Sequence, residues 1–204
     1  MISSWQDIPG WFDFQDIYDQ AVSEAQPGDT LIEVGCYLGK STAYMGQKIK
    51  DSCKRLTFYA IDSWDEATYG NWAGYLKSTN DKPSPMPSED LTAHRHLYAA
   101  FKYAMLACGM MSPAGSTPVH PFRDTSLHAA EVFRNNRMSF IFIDANHSYE
   151  AVLADIKAWK PLVKPGGLLA GHDLCSQWPG VEKAVREVFG DGFEKRGNSW
   201  VVRI

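Results

Sequence analysis

The sequence has few cysteines, and their spacing predicts neither a zinc site nor a redox pair. No Cys-x-x-Cys pair occurs, and the four residues are widely separated: Cys36, Cys53, Cys108 and Cys175. Structural zinc sites and disulfide oxidoreductases depend on closely spaced pairs. Because free cysteines are among the most frequently buried residues, we interpret all four as buried thiols.

Long apolar runs and basic runs are absent as well. No run of about 18 apolar residues is present, as a membrane span would need. The first thirty residues are acidic where a signal peptide would be cationic and then apolar. The net charge is −4, and lysines and arginines are scattered. We therefore expect a cytoplasmic protein with no membrane and no nucleic-acid partner.

Two phosphate-binding motifs are missing from the glycine turn that joins the first strand to a helix. Gly35 and Gly39 are separated by three residues, and the third glycine of the dinucleotide motif G-x-G-x-x-G is absent. Lys40-Ser41 imitates the end of a P-loop, but that loop has four residues between its glycines. An NAD-dependent oxidoreductase and a triphosphate cradle are therefore disfavoured.

The chain has 204 residues, and at about 150 residues per domain this length predicts one compact domain over 1–204. Hydrophobic residues make up 45% of the chain, an ordinary value for a globular protein. Helical periodicity predicts helices at 11–25, 40–53, 97–110, 125–133, 149–159 and 181–189. Strand patterns fall at 30–34, 56–61, 118–122, 139–143 and 168–170, and a hairpin pairs 193–195 with 200–204. This alternation predicts an α/β fold with a mostly parallel sheet and helices on both faces.

A polar segment rich in proline interrupts the alternation at about 65–90. It has too few apolar residues to form a core of its own. We interpret it as an insertion that covers the ligand site as a mobile lid and contacts the substrate.

Polar side chains cluster at predicted strand ends, where α/β sheets bind ligands. They are Glu33, Asp62, Asp144, His172 and Asp173. Asp62 is placed to accept hydrogen bonds from both ribose hydroxyls, although an acid there also serves as an N-cap or a surface group. Glu33 would repel phosphate and attract an amino-acid ammonium group. A nucleoside without a pyrophosphate, namely S-adenosylmethionine, satisfies both expectations.

Several motifs then resemble those of the class I S-adenosylmethionine-dependent methyltransferases: Glu33-Val34-Gly35-x-x-x-Gly39-x-Ser41, Tyr59-Ala60-Ile61-Asp62-Ser63-Trp64 and the terminal hairpin. The chain further resembles the small O-methyltransferase-like family of sugar and macrolide methyltransferases through Phe142-Ile143-Asp144-Ala145-Asn146-His147-Ser148-Tyr149-Glu150, Trp159, Pro165-Gly166-Gly167 and Gly171-His172-Asp173. The resemblance implies a Rossmann-like three-layer sandwich, a seven-stranded sheet with an antiparallel last strand, and O-methylation of a small hydroxylated acceptor.

The cofactor residues expected on this basis include the turn residues Gly35, Tyr37, Gly39 and Ser41. Trp64 is a candidate for stacking on adenine, with a core position as the alternative. Asp124 or Ser126 would hydrogen-bond the adenine amino group or a ring nitrogen.

A second cluster carries the predicted chemistry. Asp144 and His147 follow one strand three residues apart, and Asp173 follows another. Two carboxylates and an imidazole suit Mg²⁺ or a similar divalent cation, which would lower the pKa of the acceptor hydroxyl, with His147 as general base. The resemblance implies metal ligands at Asp144 and Asp173, and we add His172 as a further candidate.

Other interpretations of the same residues stay open. Asp144 to Ser148 precede a helix, and either Asn146 or Ser148 is a candidate for its N-cap. The enzyme would then be a metal-independent methyltransferase using His147 alone, or a non-catalytic S-adenosylmethionine-binding protein. The sequence also leaves a homo-oligomer open.

Overall fold

The computed structural model describes residues 2–65, 96–112 and 117–204. Within these ranges a sheet has the strand order β3-β2-β1-β4-β5-β7-β6. Its strands are β1 (Thr30–Val34), β2 (Thr57–Asp62), β3 (Val119–Arg123), β4 (Met138–Ile143), β5 (Val163–Gly171), β6 (Glu194–Arg196) and β7 (Ser199–Arg203). Neighbours from β3 to β5 are parallel, and β7 is antiparallel to both β5 and β6. The predicted seven-stranded, mostly parallel sheet with an antiparallel last strand is confirmed.

Helices cover both faces of the sheet and complete three layers. They are α1 (Gln15–Glu24), α2 (Lys40–Asp51), α3 (Leu97–Ala107), α4 (Ser126–Val132), α5 (Tyr149–Trp159) and α6 (Pro179–Phe189). The apolar residues of α1, α2 and α3 share one buried cluster with one face of the strands. Those of α4, α5 and α6 share a second cluster with the other face. The alternation of strand side chains therefore decides which layer each residue meets.

Strand β4 lies at the centre of the sheet, between β1 and β5. All six of its residues are buried, which explains its continuous apolar sequence. Asp144 follows directly, so the strand delivers this carboxylate to the carboxyl edge of the sheet.

Two predicted elements differ from the structure because of tertiary contacts. The first helix begins at Gln15 rather than at residue 11, since Phe14 stacks on Phe142 with ring centroids 4.4 Å apart. Strand β5 begins before the predicted glycine turn, because Gly166 donates to the carbonyl of Ile204 and continues the pairing with the last strand.

The predictions for the four cysteines and for the lid have different outcomes. Cys36 is buried, but Cys53 is exposed, so the prediction of four buried thiols is wrong. The predicted lid at 65–90 lies outside the described residues beyond Asp65. No helix in the described part of the chain combines the length and the hydropathy that a membrane span requires.

Candidate active site

The glycine turn after β1 brings two strand ends into close contact. Gly35 has a φ of 89°, and a Cβ atom there would lie 2.0 Å from the carbonyl oxygen of Asp144. Gly39 has a φ of 88°, and a Cβ atom there would meet Met105 and Phe101 of α3. Both glycines are therefore required by backbone conformation and by packing.

Asp62, at the end of β2, holds this turn in place. Its Oδ2 accepts hydrogen bonds from the amides of Cys36 at 2.8 Å and Tyr37 at 3.0 Å. Its Oδ1 accepts from the amide of Trp64 at 2.7 Å. Asp62 is only 6% exposed and also lines the cavity described below, so it is not a surface acid.

Glu33 and Ser41 do not line that cavity, and the Glu33 carboxylate lies against α1 and α2 instead. The Glu33 carboxylate accepts hydrogen bonds from Tyr18 at 2.8 Å, from Ser41 at 2.5 Å and from Thr42. Burial raises the pKa of Glu33 to about 7, against the opposing effect of these hydroxyls. Because α1 and α2 enclose the carboxylate, the prediction that Glu33 contacts an ammonium group is corrected.

Trp64 is also enclosed by protein and is not free to stack on adenine. It is 1% exposed, and its ring packs against Tyr98 at 4.7 Å and Phe101 at 4.5 Å. Its indole nitrogen donates to the carbonyl of Tyr37 at 2.8 Å. The alternative interpretation of Trp64 as a core aromatic residue is therefore the correct one. The predicted cofactor residues Tyr37 and Gly39 are not among the residues that line the cavity.

A cavity of about 860 Å³ opens at the carboxyl edge of the sheet. It is lined by residues 34–35, 61–63, 124–127 and 145–148, with Ala151, Ala154, Asp155 and Trp178. Its size is that of a site for a cofactor-sized ligand. It contains the predicted residues Gly35, Asp62, Ser126 and His147, which the chain contributes from four separate loops.

Three of the predicted catalytic and metal-binding side chains converge beside this cavity. One ligand atom from each of Asp144, His147 and Asp173 lies within 4.8 Å of the others. His147 Nε2 is 3.0 Å from Asp173 Oδ2 and 3.5 Å from Asp144 Oδ1. This buried nitrogen forms ion-pair contacts with both carboxylates but has no hydrogen-bond partner among the described residues.

The charges in this triad are strongly coupled. Burial lowers the pKa of His147, but the carboxylates of Asp144 and Asp173 outweigh it and raise the pKa to about 9. Burial acts to raise the pKa of Asp173, but the contacts with His147 and His172 outweigh this effect and hold the pKa well below its usual range. The two carboxylates therefore favour the protonated form of the imidazole over the neutral form.

Helix capping does not account for the triad, because Ser148 performs that function. The Ser148 hydroxyl accepts from the amide of Ala151 at 3.3 Å, and Asn146 Oδ1 accepts from the amide of Ser148 at 2.8 Å. Asp144 and His147 are left to face each other.

His172 does not belong to the group of converging ligand atoms, so its predicted ligand role is corrected. Its Nε2 lies 2.8 Å from Asp13 Oδ1, and its Nδ1 lies 3.4 Å from Asp173 Oδ1. The ring also packs against Phe14 at 4.9 Å. Both nitrogens are therefore engaged by carboxylates, and His172 links the N-terminal segment to Asp173.

Sequence reasoning missed several residues of the cavity wall, among them Asp155 and Trp178. Trp178 is 38% exposed, and its ring lies 4.8 Å from that of His147. Asp155 interrupts the apolar face that Val152, Ile156 and Trp159 form on α5. That interruption was a usable signal, since a charge on a buried helix face needs a partner.

Comparison with known proteins identifies the family of the chain. The profile of a family described as a methyltransferase domain matches residues 32–174, more than half of the chain. The chain belongs to this methyltransferase family. A sequence comparison with curated proteins found no significant match.

Solved structures show that this methyltransferase has the class I fold. The calicheamicin methyltransferase CalS11 aligns with a TM-score of 0.62 at 14% identity, over 93% of this chain and 76% of that one. The O-methyltransferase NovP aligns with a TM-score of 0.60 at 17% identity, over 93% and 78%. TrmN from Thermus thermophilus aligns with a TM-score of 0.56 at 14% identity, over 93% and 47%.

Proposed function

We propose that this methyltransferase transfers a methyl group from S-adenosylmethionine to a hydroxyl group of a small molecule, such as a sugar or a polyketide. The observation that carries the proposal is the Asp144, His147 and Asp173 triad beside a cavity of cofactor size. NovP is named an O-methyltransferase, and CalS11 is also described as a TDP-rhamnose 3'-O-methyltransferase. Both likenesses support an oxygen acceptor.

The donor site follows from the cavity lining. When bound, S-adenosylmethionine supplies the sulfonium methyl group. Gly35 leaves the cavity wall without a side chain, and Asp62 places a carboxylate in that wall for the ribose hydroxyls. Because three backbone amides already fix the Asp62 carboxylate, it needs little reordering to accept further hydrogen bonds.

The triad residues are suitable ligands for a divalent cation. Carboxylate oxygens are ligands of Mg²⁺ and Mn²⁺, whereas the imidazole nitrogen favours a transition-metal ion over Mg²⁺. His147 Nε2 is buried without a hydrogen bond among the described residues. Asp144, His147 and Asp173 would hold the ion. Such a cation, when bound, supplies a positive charge that lowers the pKa of the acceptor hydroxyl.

A metal-independent reaction is the alternative within the same site. His147 then removes the acceptor proton as general base, with Asp144 and Asp173 orienting the ring. A non-catalytic binding protein is the alternative of a different class, but a binder has no use for the triad. A nucleic-acid acceptor, as the description of one solved structure as an rRNA methylase would suggest, is disfavoured by the net charge of −4.

Label transfer from the methyl donor tests the function. The enzyme is incubated with methyl-labelled S-adenosylmethionine and a panel of nucleotide sugars, macrolides and catechols, and products are identified by mass spectrometry. We expect one class of acceptor to gain a labelled methyl ether, EDTA to abolish transfer, and Mn²⁺ to restore it. Asp173→Asn should be inactive, whereas Glu150→Gln, an exposed acid on α5, should retain activity.

The alternatives predict other results in this experiment. Full activity in EDTA, together with its loss in His147→Ala, would support the general-base mechanism without a metal. Donor binding without transfer to any acceptor would support the non-catalytic protein. Direct Mn²⁺ binding, measured by electron paramagnetic resonance, reports on the metal independently of turnover and should weaken at least tenfold in Asp173→Asn.

A further inference from the structure

A buried carboxylate in the cavity wall has no role in the proposed chemistry. Asp155 lies on α5 and is 5% exposed, yet it reaches the cavity. An ionised carboxylate removed from water is costly unless hydrogen-bond donors compensate it. The contacts of Asp155 therefore indicate what the cavity wall is built to hold.

Within the described ranges of the chain, protein satisfies one oxygen of this carboxylate. Its Oδ1 accepts a hydrogen bond from the Ser126 hydroxyl at 2.5 Å. The same hydroxyl accepts from the indole nitrogen of Trp159 at 2.9 Å, so both the donor and an acceptor position of Ser126 are used. No hydrogen bond to Asp155 Oδ2 is formed by the described residues. Since Asp155 lines the cavity, we infer that the second oxygen accepts a hydrogen bond from a donor there.

The surroundings favour a flat, mostly apolar ligand with an amino group at its edge. Ala151 and Ala154 line the cavity one turn or less from Asp155, and Leu127 lies on the α4 side. Small and apolar side chains of this kind accept the face of a heteroaromatic ring. Burial raises the pKa of Asp155 to about 6, so above that pH the carboxylate is an anion that needs a donor.

We propose that Asp155 accepts a hydrogen bond from the exocyclic amino group of the donor's adenine and selects adenine over a 6-oxo purine. This inference rests on the proposed function, since it assigns one end of the same donor site. An oxygen at position 6 would face the carboxylate oxygen and repel it, whereas an amino group is a donor. Ser126, expected from the sequence to contact adenine, lines the same cavity and orients Asp155 with its hydroxyl.

Asp124 is the competing candidate on the same cavity wall. Its Oδ2 lies 2.5 Å from His128 Nδ1, and its side chain is 26% exposed. This carboxylate already has a partner and contacts solvent, so the energetic need for a ligand donor is smaller than at Asp155.

Calorimetry with two nucleoside products tests the inference. S-adenosylhomocysteine and its inosine analogue are titrated into the wild type, Asp155→Asn, Asp124→Asn and the surface control Glu150→Gln. We expect the wild type and Glu150→Gln to prefer the adenine compound roughly tenfold or more. Asp155→Asn should lose most of that preference, because its amide group donates to the 6-oxo oxygen. Each ratio compares two ligands on one variant, so it does not depend on the folded fraction.

Other results would overturn the assignment. An unchanged ratio in Asp155→Asn, or a loss of preference in Asp124→Asn alone, would remove Asp155 from base recognition. If the asparagine variant does not fold, Asp155→Ala removes the carboxylate without adding a donor and should show the same loss. Failure of the wild type to bind either compound would instead contradict the proposed function, and this inference with it.

Discussion

Glu33 stabilises the protein in its protonated form, because its carboxyl group lies between β1, α1 and α2. The side chain is 1% exposed, and the neighbouring donors are the hydroxyls of Tyr18, Ser41 and Thr42. Hydroxyl groups both donate and accept, so they serve a neutral acid as well as an anion. Burial then favours the neutral acid and accounts for the pKa of about 7.

Replacement of this acid by Glu33→Gln should flatten the pH dependence of stability. The folded-state pKa of about 7 lies above the model-compound value of 4.5, so folding takes up a proton. The stabilisation from Glu33 is therefore complete below pH 4.5 and is lost as pH rises through 7, with a full range of about 3 kcal/mol. Urea denaturation between pH 5 and 8 measures this.

The glutamine variant resembles the neutral acid and should lose less stability over that range than the wild type. The exposed Glu150→Gln variant is the control and should keep the wild-type slope. A glutamine variant whose stability falls as steeply as that of the wild type would show that Glu33 does not titrate there.

The turn between β1 and α2 depends on Gly35 for steric reasons that can be separated from backbone strain. Gly35 and Gly28 have similar φ values of 89° and 93°, but only Gly35 has a backbone atom within reach of an added Cβ. Gly28→Ala should cost about 1 kcal/mol from left-handed strain alone. Gly35→Ala should cost roughly 3 kcal/mol or more, because the strand ends of β1 and β4 must separate.

Chemical denaturation of the two alanine variants gives the comparison directly. The excess loss in Gly35→Ala measures the contact with Asp144. Equal losses in the two variants would mean that β1 and β4 yield freely at this point.

Most elements were predictable because their local pattern and their tertiary environment agree. β1 and α5 match their predicted bounds, 30–34 and 149–159. β4 was predicted at 139–143 and begins one residue earlier. The start of α1 was not predictable, since the ion pair between Asp13 and His172 and the stacking of Phe14 involve residues far along the chain.

The site was predictable where chemistry follows a strand end, and not where it depends on side-chain direction or helix packing. Asp62 and the triad follow strands, so topology alone brought them together. Glu33 was placed wrongly, although strand alternation puts it on the face of Leu31 and away from Val34 at the cavity. The interrupted apolar face of α5 marks Asp155 as a residue that needs a partner, but its place in the site depends on the packing of α4 on α5, which no local pattern encodes.

At the scale of the whole molecule, the cavity joins loops from four parallel strands, so its occupation couples them. The loops follow β1, β2, β3 and β4, which are adjacent in the sheet. A ligand that binds only the folded chain stabilises it by mass action, by about 2.7 kcal/mol at 100 times its dissociation constant. The stabilisation therefore reports binding without any knowledge of the acceptor.

S-adenosylhomocysteine at that concentration should raise the melting temperature of the wild type by roughly 5 to 10 °C, whereas NAD should leave it unchanged.

Asp62→Ala should lower the melting temperature without ligand, because the amides of Cys36, Tyr37 and Trp64 lose their acceptor. It should also weaken binding by about 1–3 kcal/mol, or roughly 5- to 150-fold, if the carboxylate holds the ribose. Differential scanning fluorimetry over a range of ligand concentrations separates the two effects, since the baseline reports the turn and the concentration dependence reports affinity. A lowered baseline with wild-type affinity would leave Asp62 a structural role only, and a shift with NAD in place of S-adenosylhomocysteine would contradict the donor.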